Sequence, residues 1–142
     1  MMPINRLTDY ATLLMTHLAV EPQTPRRAVE LTATIPLAFT TIRKLLQILA
    51  RQGLLISRKG RHGGFLLARP PAEITLKQVV EAMEGPLALT TCCRSGAECA
   101  LLEACLPKGH WMRLNGAINA LLEETTLEDL LAPVSAKASP TY

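Results

Sequence analysis

The chain has 142 residues, enough for one compact domain, and its hydrophobic share of 49% against 19% charged residues excludes a disordered chain. Aromatic residues make up only 4%, which indicates a core of Leu and Ala on packed helices. The net charge of +3 is divided unevenly, with ten Lys/Arg against three Asp/Glu in residues 1–70 and five against nine in residues 71–142, so we expect only the first half to face a polyanion.

The first predicted element is an amphipathic helix over residues 8–20, with Thr8 as its N-cap. Its apolar face repeats with the helical period and consists of Ala11, Leu14, Met15 and Leu18. Because Thr8, Asp9 and His17 interrupt this stretch, it is too short and too polar to cross a bilayer. We therefore expect a cytoplasmic protein with no membrane partner.

Two helices joined by a short turn are predicted next. Thr24 followed by Pro25 is typical of a helix start, and we place a short helix over residues 25–33. A longer helix over residues 37–52 follows, with Gly53 as its stop. Its buried stripe is formed by Ile42, Leu45, Leu46 and Leu49. This pattern predicts a helix-turn-helix.

A small β-hairpin is predicted directly after the helix-turn-helix. Its strands cover residues 54–58 and 64–69, and the glycine-rich segment KGRHGG joins them. A hairpin in this position is a wing. Thr75 then caps a helix over residues 76–84, which Gly85 ends.

The rest of the chain divides into three parts. Residues 85–109 form an irregular loop that holds every cysteine, and residues 110–132 form a long helix followed by a short one that begins at Thr126 with Asp129 in a capping box. The Pro/Ser/Ala-rich residues 133–142 are expected to be disordered. With a winged helix-turn-helix over residues 1–84, the predicted fold class is mainly α.

Polar and basic residues cluster on the predicted recognition helix and wing. The helix face opposite the buried stripe carries Thr40, Thr41, Arg43, Lys44 and Gln47, the wing carries Arg58, Lys59, Arg61 and His62, and Arg26 and Arg27 begin the preceding helix. Glycines let the wing approach a sugar–phosphate backbone, and free N–H groups at a helix start favour phosphate. The simple alternative is a solvated basic face or a protein-binding winged helix, but the combination favours double-stranded DNA.

The four cysteines all lie between Cys92 and Cys105, which in a cytoplasmic chain indicates metal or redox chemistry rather than disulfides. Six residues separate Cys92 from Cys99 and five separate Cys99 from Cys105, so the C-x2-C pair of many zinc sites is absent from the sequence. Wide spacing favours an iron–sulfur cluster, with zinc or a set of reduced thiols as alternatives. Adjacent side chains point apart, so we expect only one of Cys92 and Cys93 to be a ligand.

Enzymatic activity is not expected. The sequence has no C-x-x-C motif, no nucleotide-binding fingerprint and no nucleophile paired with a base. We therefore expect no small-molecule substrate.

Several motifs together are specific for one family. They are LTDYAT near the start, TIRKLLQILARQGLLISRKGRHGGFLLARP through helix and wing, ITLKQVVEAMEGPL after it, and the cysteine loop followed by Trp111. From Leu7 to Leu131 the chain resembles a bacterial family of winged-helix iron–sulfur regulators that contains the iron–sulfur cluster assembly regulator, the nitric-oxide-sensitive repressor and the cysteine-metabolism repressor. GPLALTTC and GHWMRLN are most similar to regulators of the sulfur-mobilisation (SUF) operon.

The resemblance implies a [2Fe-2S] or [4Fe-4S] cluster in this loop. It maps the three cysteine ligands onto Cys92, in preference to Cys93, and onto Cys99 and Cys105. The chain is then expected to be a transcription regulator, most simply a repressor, that senses cluster supply or redox and nitrosative signals.

The fourth ligand differs among the relatives. In the nitric-oxide-sensitive members an Asp of the partner subunit reaches the cluster, and Asp9 matches it here, although its carboxylate can equally serve the helix N-terminus. In the assembly regulator a His follows the third cysteine by three positions, where this chain has Lys108, with His110 two residues later. His110 is therefore a second candidate, whereas His17 and His62 are expected to be structural or to face DNA.

The resemblance also implies a homodimer. The relatives pair through the long helix after the cysteine loop, and its apolar face here consists of Leu114, Ala117, Ile118, Leu121 and Leu122. An ordinary core helix within one subunit is the alternative. A dimer would bind a near-palindromic operator with its two recognition helices about one DNA turn apart.

Overall fold

The computed structural model describes residues 4–96, 98–101 and 103–133. In chain order its elements are α1 (Arg6–Val20), α2 (Ala28–Leu31), α3 (Phe39–Arg51), β1 (Leu55–Arg58), β2 (Gly64–Leu67), α4 (Leu76–Glu84), α5 (Lys108–Glu124) and α6 (Leu127–Leu131). Short 3₁₀ turns lie at Pro71–Glu73 and Thr91–Cys93. The predicted mainly α, winged helix-turn-helix fold is confirmed. The tail predicted to be disordered, residues 133–142, lies outside the described residues except for residue 133.

The core lies between α1, α3, α4 and α6, with the wing packed at one side. The predicted stripe of α3 is confirmed, because its four members are all completely buried. Around them pack Leu14, Met15 and Leu18 of α1, Leu31, Ile35, Ile74, Val79 and Leu127. None of the helices in the described part of the chain combines the length and apolar character that a membrane crossing requires.

Helix α1 begins earlier than predicted, and Thr8 is not its N-cap. Asn5 caps the helix, since its side chain accepts a hydrogen bond from the Leu7 N–H. Thr8 is instead buried within the first turns and donates its hydroxyl proton to the Glu84 carboxylate, with 2.6 Å between the oxygens. The same carboxylate oxygen accepts the Asn5 N–H at 3.0 Å. These bonds join the start of α1 to the end of α4.

Helix α2 is shorter than the predicted span of residues 25–33. Arg26 is extended rather than helical, because its backbone pairs with Phe65 of β2. The Arg26 N–H donates to the Phe65 carbonyl at 2.9 Å, and the Phe65 N–H donates to the Arg26 carbonyl at 2.8 Å. Pro25 therefore precedes a strand-like pairing, and the helix starts only at Ala28.

The last two caps agree with the sequence. Thr75 and Gln78 form a capping box at the start of α4, and Thr126 and Asp129 form one at the start of α6. Two backbone bonds join these helix starts, from the Leu76 N–H to the Thr125 carbonyl at 2.7 Å and from the Leu127 N–H to the Ile74 carbonyl at 2.9 Å. The last helix thus closes over the DNA-binding half rather than extending from α5.

Candidate nucleic-acid interface and metal centre

The outer face of α3 has the composition expected of a recognition helix. A rotation of about 100° per residue puts the buried stripe on one side and the polar residues on the other. Thr40, Arg43, Lys44 and Gln47 are exposed, and Thr41 is half-buried at the flank of this face. Four of the five predicted helix contacts are therefore open to a ligand.

The wing presents its cations on a tight turn. Strands β1 and β2 are antiparallel, with Leu55 opposite Leu67 and Arg58 opposite Gly64. Gly63 is buried at the turn, where an added Cβ would lie 2.2 Å from the Arg58 carbonyl oxygen. The basic residues around it, Arg58, Lys59, Arg61 and His62, are all exposed.

The two arginines predicted to start the second helix are engaged within the protein. The Arg27 guanidinium donates to the carbonyls of Gly60 and Arg61 in the wing turn. Arg26 lies outside the helix, and its side chain pairs with Glu21 at 2.5 Å. Arg27 therefore holds the wing against α2, a role that the sequence did not indicate because its partners lie more than thirty residues away.

The cysteine segment places Cys92 and Cys93 on the same 3₁₀ turn. Their sulfur atoms lie 3.1 and 3.2 Å from the Thr90 hydroxyl oxygen. The two side chains therefore face one group, contrary to the expectation that neighbours point apart. All four cysteines, including Cys99 and Cys105, are half-buried free thiols.

The predicted ligands suit a cluster by chemistry but are not gathered. Four free thiols within one short segment are a donor set that iron–sulfur clusters and zinc both accept. Yet in the described parts of the chain no three His, Cys, Asp or Glu side chains lie close enough together to hold a metal ion. Asp9 on α1 and His110 on α5 are both exposed, as are His17 and His62.

Two asparagines of α5 hold the segment that leads to the cysteines. The Asn115 side-chain oxygen accepts the Leu89 N–H at 2.9 Å, and the Asn119 amide donates to the Leu87 carbonyl at 3.4 Å. We did not single them out in the sequence, although two amides four residues apart on a helix rich in Leu and Ala are a usable signal. A cleft of about 700 Å³ lies beside them, and Cys93 lines it.

The apolar face of α5 is uncovered. No residue of α5, all of which the structure describes, is buried. The exposed fractions are 46% for Leu114, 37% for Ile118 and 63% for Leu121. The helix contacts α4, where Lys77 pairs with Glu123 at 3.3 Å, but its apolar side chains are not part of the core of this chain.

Comparisons with known proteins agree with this architecture. Residues 4–133 match the Rrf2 family, described as iron-dependent transcriptional regulators. The chain is 34% identical to the HTH-type transcriptional regulator NsrR of Halalkalibacterium halodurans over 92% of its length and 90% of the relative's. The structure of CymR, the global cysteine regulator of B. subtilis, superposes with a TM-score of 0.75 at 28% identity, covering 92% of this chain and 97% of that one. T. potens IscR shares the fold, with a TM-score of 0.72, 21% identity and coverage of 99% and 94%.

Proposed function

The chain belongs to the Rrf2 family, and from this premise we propose that it is a repressor whose α3 and wing bind a near-palindromic operator. Its relatives are transcriptional regulators and not enzymes, and the chain is accordingly a DNA-binding regulator. We place its action in the cytoplasm with the DNA. The observation that carries the proposal is that the polar face of α3 and the basic turn of the wing are both exposed.

The interface follows from the geometry of α3 and the wing. Thr40 lies in the first turn of α3, where recognition helices meet base edges, and Arg43, Lys44 and Gln47 continue the exposed face along the helix. The exposed wing cations then suit the phosphates beside the groove. Thr41, at the flank, is proposed to touch a base or sugar only at the edge of the contact.

Salt dependence tests this interface. Affinity for a selected DNA duplex should fall steeply with salt, because each phosphate contact releases counterions. Lys59→Gln should reduce the slope of log affinity against log salt by about one, whereas Arg69→Gln, a cation that bonds Glu73 and Gln78 within the protein, should leave it unchanged. An unchanged slope for Lys59→Gln would remove the wing from the interface.

A homodimer through α5 is proposed from its uncovered apolar face. Leu114, Ile118 and Leu121 lie at helical spacing and are exposed, and large apolar side chains at this density mark association surfaces. Isologous pairing would place the two α3 helices about one DNA turn apart. The alternative, an ordinary core helix within one subunit, has less support. The structure describes every residue of α5, and none of them is buried.

An iron–sulfur cluster, [2Fe-2S] or [4Fe-4S], is proposed as the cofactor, held by Cys92, Cys99 and Cys105. The four free thiols and the family's description as iron-dependent support it. Asp9 from the partner subunit or His110 would complete the ligand set. Such a cluster would supply a redox-active group whose potential depends on its ligands and on the hydrogen bonds to its sulfur atoms.

The residues around the thiols supply the link to DNA binding. Asn115 and Asn119 attach the segment before Cys92 to α5, and the Glu84 carboxylate attaches its start to α1. A rearrangement of the segment would thereby reach both the dimer helix and the DNA-binding half. This coupling would shift the population between two DNA-binding states. SUF assembly genes are the proposed targets, on the resemblance of GPLALTTC and GHWMRLN alone.

Anaerobic purification with iron, sulfide and zinc analysis and a visible spectrum tests the cofactor. Iron and sulfide should be present and should be lost in Cys99→Ala and Cys105→Ala. Cys92→Ala should lose them and Cys93→Ala should retain them; the reverse would assign Cys93 as the ligand. Asp9→Ala and His110→Ala separate the two candidate fourth ligands. Protein without iron in any variant would contradict the cluster.

A zinc- or thiol-based regulator is the second candidate. One observation favours its thiol form: the thiols are not gathered in the described residues into the three-donor site that zinc and a cluster would both need. Zinc without sulfide, or no metal with DNA binding that responds to a thiol oxidant, would establish this alternative.

A further inference from the structure

Two large apolar side chains are exposed on the face that otherwise carries polar and basic residues. Phe39, the first residue of α3, is 46% exposed, and Val29 of α2 is 62% exposed. They share a shallow groove of about 410 Å³ with Arg43 and Gln47. Phe39, Arg43 and Gln47 are spaced by four residues, so they form one ridge along α3.

The hydrophobic core of the described chain does not account for this pair. Phe39 lies one turn before Ile42, at the flank of the core stripe of α3, and neither Phe39 nor Val29 is among the side chains packed against the core. The groove is apolar, yet Arg27 and Arg43 are among its other lining residues. A partner must therefore combine an apolar group with negative charge close by.

Double-stranded DNA offers one such combination. In the major groove the C5 methyl group of thymine is the apolar feature of the base edges, and it lies between two phosphate backbones. Phe39 is at the N-terminal end of the recognition helix, the end that approaches the bases. Gln47 and Arg43 are donors able to bond a neighbouring base or phosphate.

We propose that Phe39, supported by Val29, contacts the methyl group of a thymine in each operator half-site and so sets part of the sequence specificity. The proposal rests on the proposed α3 interface. It predicts one thymine position per half-site whose importance comes from its methyl group rather than from its hydrogen-bonding edge. Through this contact the protein would distinguish a thymine at that position from both cytosine and uracil.

Replacement of thymine by deoxyuridine tests it directly, because this removes the methyl group and leaves base pairing intact. A duplex is first selected in vitro with the unmodified protein, and each thymine is then replaced singly. Affinity at the predicted position should fall about fourfold, the equivalent of one buried methyl-sized group. Phe39→Ala should bind the thymine and deoxyuridine duplexes equally, whereas Phe39→Leu should still discriminate.

Controls separate this inference from the interface itself. Val20→Ala truncates an exposed apolar side chain on α1 and should keep the full discrimination. If the duplex binds but no deoxyuridine position weakens it, or if Phe39→Ala discriminates as the unmodified protein does, the methyl contact is overturned and the interface stands. If no duplex is selected at all, the proposed interface fails and the contact fails with it.

Discussion

The attachment of the wing to the helix-turn-helix is tested by Gly64→Ala. Gly64 has φ +143°, and an alanine Cβ there would lie 2.6 Å from the Arg26 carbonyl oxygen and 2.7 Å from the carbonyl carbon. Both neighbours are backbone atoms, so the collision is relieved only if Arg26 moves away from β2. That movement would break the two hydrogen bonds between Arg26 and Phe65.

The expected cost has two parts. A non-glycine residue in a sparsely populated backbone region costs about 1–3 kcal/mol. Each lost backbone hydrogen bond adds about 1 kcal/mol. Gly64→Ala should therefore lower the free energy of unfolding by about 3–5 kcal/mol, the sum of these contributions. DNA affinity should fall as well, because the wing cations would no longer be held beside α2 in their native position.

Gly60→Ala is the matched control. Gly60 lies in the same turn with φ +102°, but an added Cβ would meet nothing within 4 Å. Gly60→Ala should show only the cost of the unfavourable backbone conformation and should keep both hydrogen bonds. The free energies of unfolding of the two variants in urea should therefore differ by about 2 kcal/mol. Equal stability of the two variants, with equal affinity for the selected DNA, would refute the attachment of the wing through Arg26.

Three further predictions concern the other contacts. Thr8→Val keeps the shape of a buried side chain but removes its bond to Glu84, so urea unfolding should show a loss of about 1 kcal/mol; a loss no larger than for exposed-hydroxyl variants would contradict the contact. Leu121→Glu replaces an apolar side chain that is 63% exposed on α5 by a charged one, and it should convert the proposed dimer to a monomer in light scattering; an unchanged mass would argue against pairing there. Hydrogen bonds from the Thr126 backbone and hydroxyl hold the pKa of Asp129 below its ordinary 3.8, so its contribution to stability is present above 3.8 and is lost as the pH falls through the folded value. Asp129→Ala should accordingly destabilise at neutral pH, and the difference from the unmodified protein in unfolding experiments should shrink in strong acid.

Local signals predicted most of the fold. The helical period alone predicts the buried stripe of α3, because a helix buries the same face along its whole length. The cap at Thr75 and the capping box of Thr126 with Asp129 were predicted from residues that are close together in sequence. The wing followed from two short apolar runs around a glycine-rich turn, and its strands differ from the prediction by one or two residues.

The two wrong helix starts have different causes. Thr8 and Thr24 both have the local pattern of an N-cap, but α1 is capped locally by Asn5, whereas a distant partner holds Arg26 outside α2. Thr8 bonds Glu84, which is 76 residues away, and Arg26 pairs with Phe65 across the wing. Local propensity is a weak prior that such tertiary contacts override. Under the proposed function, the thiols would be brought together by a bound cluster, which the spacing of the cysteines alone does not describe.

Two tertiary contacts that the sequence did not indicate connect separate parts of the molecule. Glu84 is the last residue of α4, directly before the segment that carries the cysteines, and its carboxylate holds the first turn of α1. Arg27 holds the turn that carries the wing cations. A rearrangement of the cysteine segment would first disturb the bond between Glu84 and Thr8. A movement of the wing would disturb the bonds between Arg27 and the wing turn. Under the proposed function, the Glu84 contact would pass a change at the cysteines to α1, and the Arg27 contact would hold the wing in place for DNA.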